Sequence, residues 1–206
     1  MNPAFSSSEG LRPVTAADLT ALNAALERLP AQEILLWARG VFGPRRLAAL
    51  SAMQKAGCAL CHLIARLGLQ SEVDVLFVDT GVNFRETYET LERLRGEYGL
   101  NILSLRPALT MEEQTRREGV LYLTPEGQKR CCHLRKKEPL LQIRGRYDAL
   151  LGSLRREEGG RRAAIPALAL DEELNLLRIH PLLAWDSARL AAYLAQNNVI
   201  VNPLHA

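Results

Sequence analysis

Apolar residues recur at helical spacing through residues 15–29 (TAADLTALNAALERL), where Thr15 or Asp18 is placed to cap the start. The same spacing runs through 31–43 (AQEILLWARGVFG) and ends at Gly40 or Gly43. Residues 46–53 (RLAALSAM) form a short apolar run that predicts a buried strand, although alanine and leucine also suit a helix. Residues 55–68 (KAGCALCHLIARLG) return to helical spacing and stop at Gly68. The clearest strand is 73–81 (VDVLFVDTG), a β-branched run closed by a glycine. An amphipathic helix follows over 83–99, then a strand over 101–107 that Pro107 ends. A helix over 110–119 opens with a capping box, since Glu113 lies three residues after Thr110. Residues 135–146 (RKKEPLLQIRGR) make a helix candidate weakened by Pro139. YDALLGSLRR (147–156) and LNLLRIHPL (174–182) are two more strand candidates, and 186–198 is a helix capped by Asp186 or Ser187.

Strands that alternate with helices predict an α/β fold: a mostly parallel sheet with helices on both faces. Such folds bind ligands at the carboxyl ends of their strands. Those ends carry polar chemistry here. Ser51, Lys55 and Gly57 follow one strand, Asp79-Thr80-Gly81 ends another, and RREEGGRR (155–162) follows a third. Backbone N–H groups at the start of the helix after Ser51 favour an anion, and Asp79 with Thr80 can hydrogen-bond a nucleoside. Each stretch alone is also ordinary turn chemistry. Residues 1–14 read as a loose leader, 1–30 as an N-terminal helical extension and 31–206 as the main domain, with no internal repeat.

A chain of 206 residues, 48% hydrophobic and 24% charged, fits one globular domain with a small extension. No apolar run is long enough to span a membrane, and MNPAFSSSEG lacks the regions of a signal peptide, which makes the cytoplasm the expected location. A net charge of +3 is too mild to imply nucleic acid. Lysine and arginine nevertheless concentrate in 129–137 and 144–162, either to meet one anion or as solvated surface. There are four cysteines, Cys58, Cys61, Cys131 and Cys132, and no disulfide framework is expected in a reducing compartment. Cys58 and Cys61 lie in an apolar helical run and are expected to face the core, not to join the tandem pair in a four-thiolate zinc site. Adjacent cysteines rarely bond each other, so RCCHLRKK (130–137) leaves two thiols among cations to be explained.

Taken in order, FG…SAMQKAG…VLFVDTGVNFRETYE…CCHLRKKEPL…GSLRREEGGRR…IHPLLAW…VNPLH resembles the sulfonucleotide reductases, the adenylylsulfate (APS) and phosphoadenylylsulfate (PAPS) reductases of sulfate assimilation. The resemblance runs from about Glu33 to the last residue. It implies an adenine-nucleotide α-hydrolase-like fold with a modified pyrophosphate loop at Ser51–Gly57, including Lys55. It implies an adenosine-holding strand end at Val78, Asp79, Thr80 and Gly81. Arg155, Arg156 and either Arg161 or Arg162 fall on the family's nucleotide-gripping arginine loop, and Arg135 with Lys136 on the basic pair beside the sulfate. The tandem cysteine resembles that of members carrying a [4Fe–4S] cluster, which mostly use APS. Cys131 and Cys132 would be two of its four ligands. The implied reaction attacks the sulfur of APS with a cysteine thiolate, releases AMP, and frees sulfite with thioredoxin. Related enzymes are often dimers or tetramers, so a homo-oligomer is compatible with the resemblance.

Two departures qualify it. SAMQKAG stands where many members have a Ser-Phe-Gly-Ala-Glu-Asp type loop. The family's second CxxC pair and its nucleophilic cysteine have no counterpart in these 206 residues, and Cys58-x-x-Cys61 does not replace them by position. The resemblance therefore leaves two readings: a piece of a normal reductase without turnover of its own, or an adenine-nucleotide-binding domain without reduction. An adenylating relative of the same fold would need an SGGxDS-type loop, which SAMQKAG is not. His180, before Pro181, reads as a hydrogen-bonded structural histidine, and His205 sits one residue from the end.

Overall fold

The computed structural model describes residues 16–205, apart from the side chains of residues 16–18 and Arg161. The expected leader over 1–14 and the cap at Thr15 lie outside the described residues, and so does the side chain of Asp18. Fourteen elements follow in order. They are α1 (Ala16–Leu26), α2 (Ala31–Phe42), β1 (Leu47–Leu50), α3 (Lys55–Arg66), β2 (Val73–Val78), α4 (Arg85–Tyr98) and β3 (Ile102–Leu105). Then come α5 (Met111–Glu118), α6 (Pro125–Cys132), α7 (Glu138–Leu141), β4 (Ala149–Gly152), β5 (Leu168–Asp171), β6 (Leu176–Ile179) and α8 (Ser187–Gln196). The sheet order is β3-β2-β1-β4-β6-β5. All neighbours pair parallel except β5, which runs antiparallel to β6. The α/β architecture with a mostly parallel sheet is the one the alternation predicts.

Strand periodicity sorts the core onto two faces. Leu47 and Ala49 of β1, Val75 and Phe77 of β2, and Leu151 of β4 point to one face, where they meet Leu35 of α2, Leu60 and Ile64 of α3, Leu94 of α4 and Leu190 of α8. Ala48, Leu76 and Leu150 point to the other, against Ile143 and Tyr147. Both faces are buried because parallel strands joined by helical crossovers must be covered twice. Truncating a side chain such as Phe77 to alanine would cost about 3–5 kcal/mol. Cys58 and Cys61 are fully buried in this core, as their apolar spacing predicts. Among the described residues no helix is long and apolar enough to cross a membrane.

Helix α1 packs on the edge strand β5. Asn23 Nδ2 donates to the Leu168 carbonyl and Asn23 Oδ1 accepts the Leu168 N–H, both at 2.8 Å. One side-chain amide thus satisfies the backbone where a further strand would pair, which blunts the edge. Leu26 lies in the main core, so the helix belongs to the same packed body as the sheet.

Two elements depart from the sequence expectation. β5 has no strand-like pattern of its own, and it forms because it folds back on β6. The weak helix over 135–146 belongs instead to a longer helical path that starts at Pro125, capped by Thr124, whose side chain accepts the Gly127 N–H at 3.1 Å. It passes through a five-residue π turn, His133–Lys137, into α7. The π turn explains how the path survives Pro139. Proline has no N–H to give and its ring clashes with the carbonyl four residues back, so widening the preceding turn removes the conflict. The Glu138 N–H accordingly reaches the His133 carbonyl, five residues back.

Candidate functional site

The chain steps outward from β1 to β2 and β3, then returns on the other side of β1 as β4. That reversal opens a crevice at the carboxyl ends of β1 and β4. A cleft of about 690 Å³ lies there, large enough for a nucleotide. Its walls include Lys55 and Gly57 from the start of α3, Ser153 and Arg155 after β4, Arg162 beyond them, and His180 after β6.

The loop between β1 and α3 is held by its own side chains. Ser51 Oγ accepts the Met53 N–H at 3.2 Å. Met53 sits at φ +57, a left-handed conformation that a side-chain-bearing residue adopts only when its surroundings enforce it. Gln54 gives α3 no side-chain cap, and the first intrahelical bond is from Cys58 N–H to the Gln54 carbonyl. The N–H groups of Lys55, Ala56 and Gly57 therefore have no partner in the helix. They end a dipole that favours negative charge, beside the ammonium of Lys55.

Arg155 and Arg162 reach the same cleft. Arg155 donates to Glu157 Oε2 at 2.9 Å, and Arg162 pairs with Glu158. Arg156 does not join them. It points outward, pairs with Glu27 of the N-terminal region and donates to the Ile165 carbonyl at 3.3 Å. Of the two alternative arginines at the end of this loop, Arg162 lines the cleft, while the Arg161 side chain is outside the described residues.

The turn after β2 stands at the neighbouring strand end and does not line the cleft. Asp79, 4% exposed, is its hub. Its Oδ1 accepts from the Gly81 N–H at 3.0 Å, from Asn83 Nδ2 at 3.4 Å and from the Tyr88 hydroxyl at 2.6 Å. Its Oδ2 accepts from Arg106 Nε at 3.0 Å. Burial alone would raise this carboxyl's pKa, but Tyr88, the Gly81 N–H and Arg106 together hold it below the usual value. Asp79 thus shapes the turn, and the backbone of Val78 to Gly81 is what it presents.

The tandem cysteines close the last turn of α6. Cys131 is half-buried, Cys132 is exposed, and both are free thiols. Gln114 Nε2 lies 3.5 Å from Cys131 Sγ. Lys136 is exposed and makes no hydrogen bond or ion pair among the described residues. Arg135 is placed differently from the sequence expectation. It is 4% exposed and donates through Nε and Nη1 to three neutral oxygens: the Thr80 carbonyl at 2.6 Å, the Leu109 carbonyl at 3.2 Å and Gln114 Oε1 at 3.0 Å. It fastens the β2 turn to the cysteine helix, with Nη2 beside Gly81. Two soft, adjacent sulfur donors with an N–H aimed at one of them suit thiolate ligation of an iron–sulfur cluster. Among the described residues no third or fourth ligand stands beside them. Cys58 and Cys61 are unsuited to the task. Burial pushes their pKa values up to about 11 and about 12.

Three residues escaped sequence reasoning. His180 was expected to be a hydrogen-bonded structural histidine. It is 3% exposed with a hydrogen bond to the Gly152 backbone, as expected, and the sequence does not show that it stands on the cleft wall. Arg178 reaches the cleft while bonded to Asp171 Oδ2 at 2.7 Å, a pairing created by the unforeseen β5–β6 hairpin. Gln114 is the one buried residue of α5, and a lone polar residue in a charged helix gives no sign of that.

An α/β sheet with a cation-lined cleft at its reversal point, an uncapped helix start in it and an acid-held turn beside it fits a nucleotide-binding fold. The family model for the phosphoadenosine phosphosulfate reductase domain matches residues 46–206. Adenosine 5'-phosphosulfate reductase 1 of Bacillus subtilis (strain 168) is 36% identical over 85% of this chain and 74% of its own length. The crystal structure of the PAPS reductase from Candida auris, a phosphate complex, superposes with a TM-score of 0.76 at 26% identity, covering 95% of this chain and 93% of that one. The NH3-dependent NAD synthetase of Campylobacter jejuni shares the fold, with a TM-score of 0.57 at 11% identity over 88% of this chain and 74% of that one. The chain belongs to the sulfonucleotide reductase family.

Proposed function

We propose that the chain binds adenosine 5'-phosphosulfate as the nucleotide-holding part of an assimilatory reductase that yields sulfite and AMP. The observation that carries this reading is the convergence of the unpaired N–H groups at the start of α3 with Lys55, Arg155 and Arg162 on one cleft beside the Asp79 turn. The helix start and the guanidinium groups neutralise phosphate and sulfate oxygens. The backbone from Val78 to Gly81, fixed by Asp79, holds the adenosine. Lys136, exposed and uncommitted, serves the sulfate end.

The reduction breaks the bond between sulfate sulfur and the bridging phosphate oxygen. A dithiol, of which thioredoxin is the expected type, gives two electrons and becomes a disulfide, while sulfur passes from the sulfate to the sulfite oxidation state. By family resemblance the attacking thiolate is not one of the residues placed here. Cys131 and Cys132 would hold two positions of a [4Fe–4S] cluster, which when bound supplies charge stabilisation and rigidity at the sulfate end. The tandem cysteine supports APS over PAPS. Reduced thioredoxin would place the reaction in the cytoplasm.

Isothermal calorimetry of the chain with APS, PAPS and AMP tests the proposal. APS is expected to bind at least about tenfold more tightly than PAPS. Equal affinity would remove the APS assignment, and no binding of any of the three would remove the nucleotide reading.

A further inference from the structure

Gln114 sits between the two ends of the site. It is 2% exposed, and its helix start is fixed by the reciprocal capping box of Thr110 and Glu113. Its Oε1 accepts from Arg135 Nη1 at 3.0 Å while its Nε2 faces Cys131 Sγ at 3.5 Å. The orientation of the amide follows from chemistry. A guanidinium can only donate, so the amide oxygen must face Arg135 and the NH2 group must face the sulfur. The Cys131 sulfur is therefore the acceptor. Arg135 in turn donates through Nε to the Thr80 carbonyl at 2.6 Å, in the turn after β2. Among the described residues no carboxylate pairs with this buried guanidinium, so its neutral acceptors are what hold it in place.

We propose that Gln114 is a positioning residue that ties the Cys131 sulfur, through Arg135, to the backbone of the turn at Thr80, so that the thiol end and the nucleoside end of the site move as one unit. This rests on the nucleotide reading above. Seating a nucleoside on the Thr80 turn fixes the carbonyl that Arg135 holds. That fixes the amide of Gln114, and with it the place of the sulfur. The coupling needs both faces of the amide. Leucine at 114 removes both. Glutamate keeps the acceptor for Arg135 and loses the donor to sulfur.

The test uses the full chain with Cys132→Ser, so that Cys131 is the only exposed or half-exposed thiol, and an uncharged alkylating agent, iodoacetamide. The alkylation rate of Cys131 is measured with and without saturating AMP, and calorimetry on each sample confirms that AMP is bound. With Gln114 present, AMP is expected to change the rate about fivefold or more, the lower range of coupling between sites. With Gln114→Leu and with Gln114→Glu the ratio is expected to fall to near one. Circular dichroism confirms folding, and Gln114→Glu, which keeps the shape and the tie to Arg135, guards against a leucine variant that fails to fold. A ratio that survives in both variants would mean that AMP merely covers the thiol, and would overturn the proposal. So would AMP that binds without changing the rate when Gln114 is present. Failure of AMP to bind at all shows up in the calorimetry and overturns the nucleotide reading itself, and this proposal with it.

Discussion

Ser51 and Gly57 meet at the mouth of the loop between β1 and α3: a Cβ placed on Gly57 would lie 2.5 Å from Ser51 Oγ. No real side chain tolerates that distance, so Gly57 is glycine because the serine hydroxyl occupies its space while bonded to the Met53 N–H. Gly57→Ala must push Ser51 aside and loosen a loop that already holds Met53 in a left-handed conformation. The expected cost is about 1–3 kcal/mol of stability, read by denaturant unfolding, together with a loss of AMP affinity of about tenfold or more. Ser51→Gly with Gly57→Ala relieves the clash and should recover stability but not affinity.

Asp79 carries the turn proposed to hold the adenosine. Its pKa is held down in the folded chain, so its contribution is complete above the ordinary carboxylate range and is lost as pH falls through the folded value. Asp79→Ala leaves the Tyr88 hydroxyl, the Gly81 N–H and Arg106 without an acceptor and should cost about 3 kcal/mol. Tyr88→Phe removes one hydrogen bond and should cost about 1 kcal/mol. Urea titration at pH 7 checks both. A cost for Asp79→Ala no larger than that for Tyr88→Phe would show that the hub is not structural.

The two consecutive arginines at 155 and 156 should separate cleanly. Arg155→Ala and Arg162→Ala each remove a cation from the cleft wall and should weaken AMP binding about tenfold, with a shallower dependence on salt. Arg156→Ala breaks a surface pair with Glu27, worth at most about 1 kcal/mol, and should leave AMP affinity within about twofold. Calorimetry on the three variants decides whether the cleft or the whole arginine run grips the anion.

His180 makes the fold sensitive to acid. Burial, with help from the charge of Arg178, lowers its pKa to about 4. An unfolded chain binds the proton near pH 6.5, so the folded state is fully favoured above that value and loses stability as pH falls toward 4. The full loss from this group is about 3 kcal/mol. His180→Asn should flatten the stability curve between pH 6.5 and 4. Parallel curves for the two proteins would show that the imidazole is not the titrating group.

Much of this was legible in the sequence because it was local. The β-branched run ending in Asp79-Thr80-Gly81, the capping box at Thr110 and Glu113, and the helical spacing around Cys58 and Cys61 all sit where their neighbours in sequence dictate. What was illegible depends on residues far apart. β5 exists through β6, and Arg178 reaches the cleft because Asp171 on that hairpin holds it. Nothing local in the sequence shows which way Arg135 and Arg156 face. The first is buried by contacts to Thr80 and Leu109, and the second is drawn outward by Glu27. A residue type announces that it can bind an anion, and only packing decides which way it faces. His180 is the buried structural histidine that its place before a proline suggests, and only the fold shows the cleft beside it.

The most direct test of the central claim is a crystal structure of this chain with AMP. The phosphate is expected within hydrogen-bond reach of the Lys55–Gly57 N–H groups and of Arg155 or Arg162, with adenosine against the backbone of Val78 to Gly81. A nucleotide bound elsewhere, or turned so that adenine occupies the cationic cleft, would contradict it.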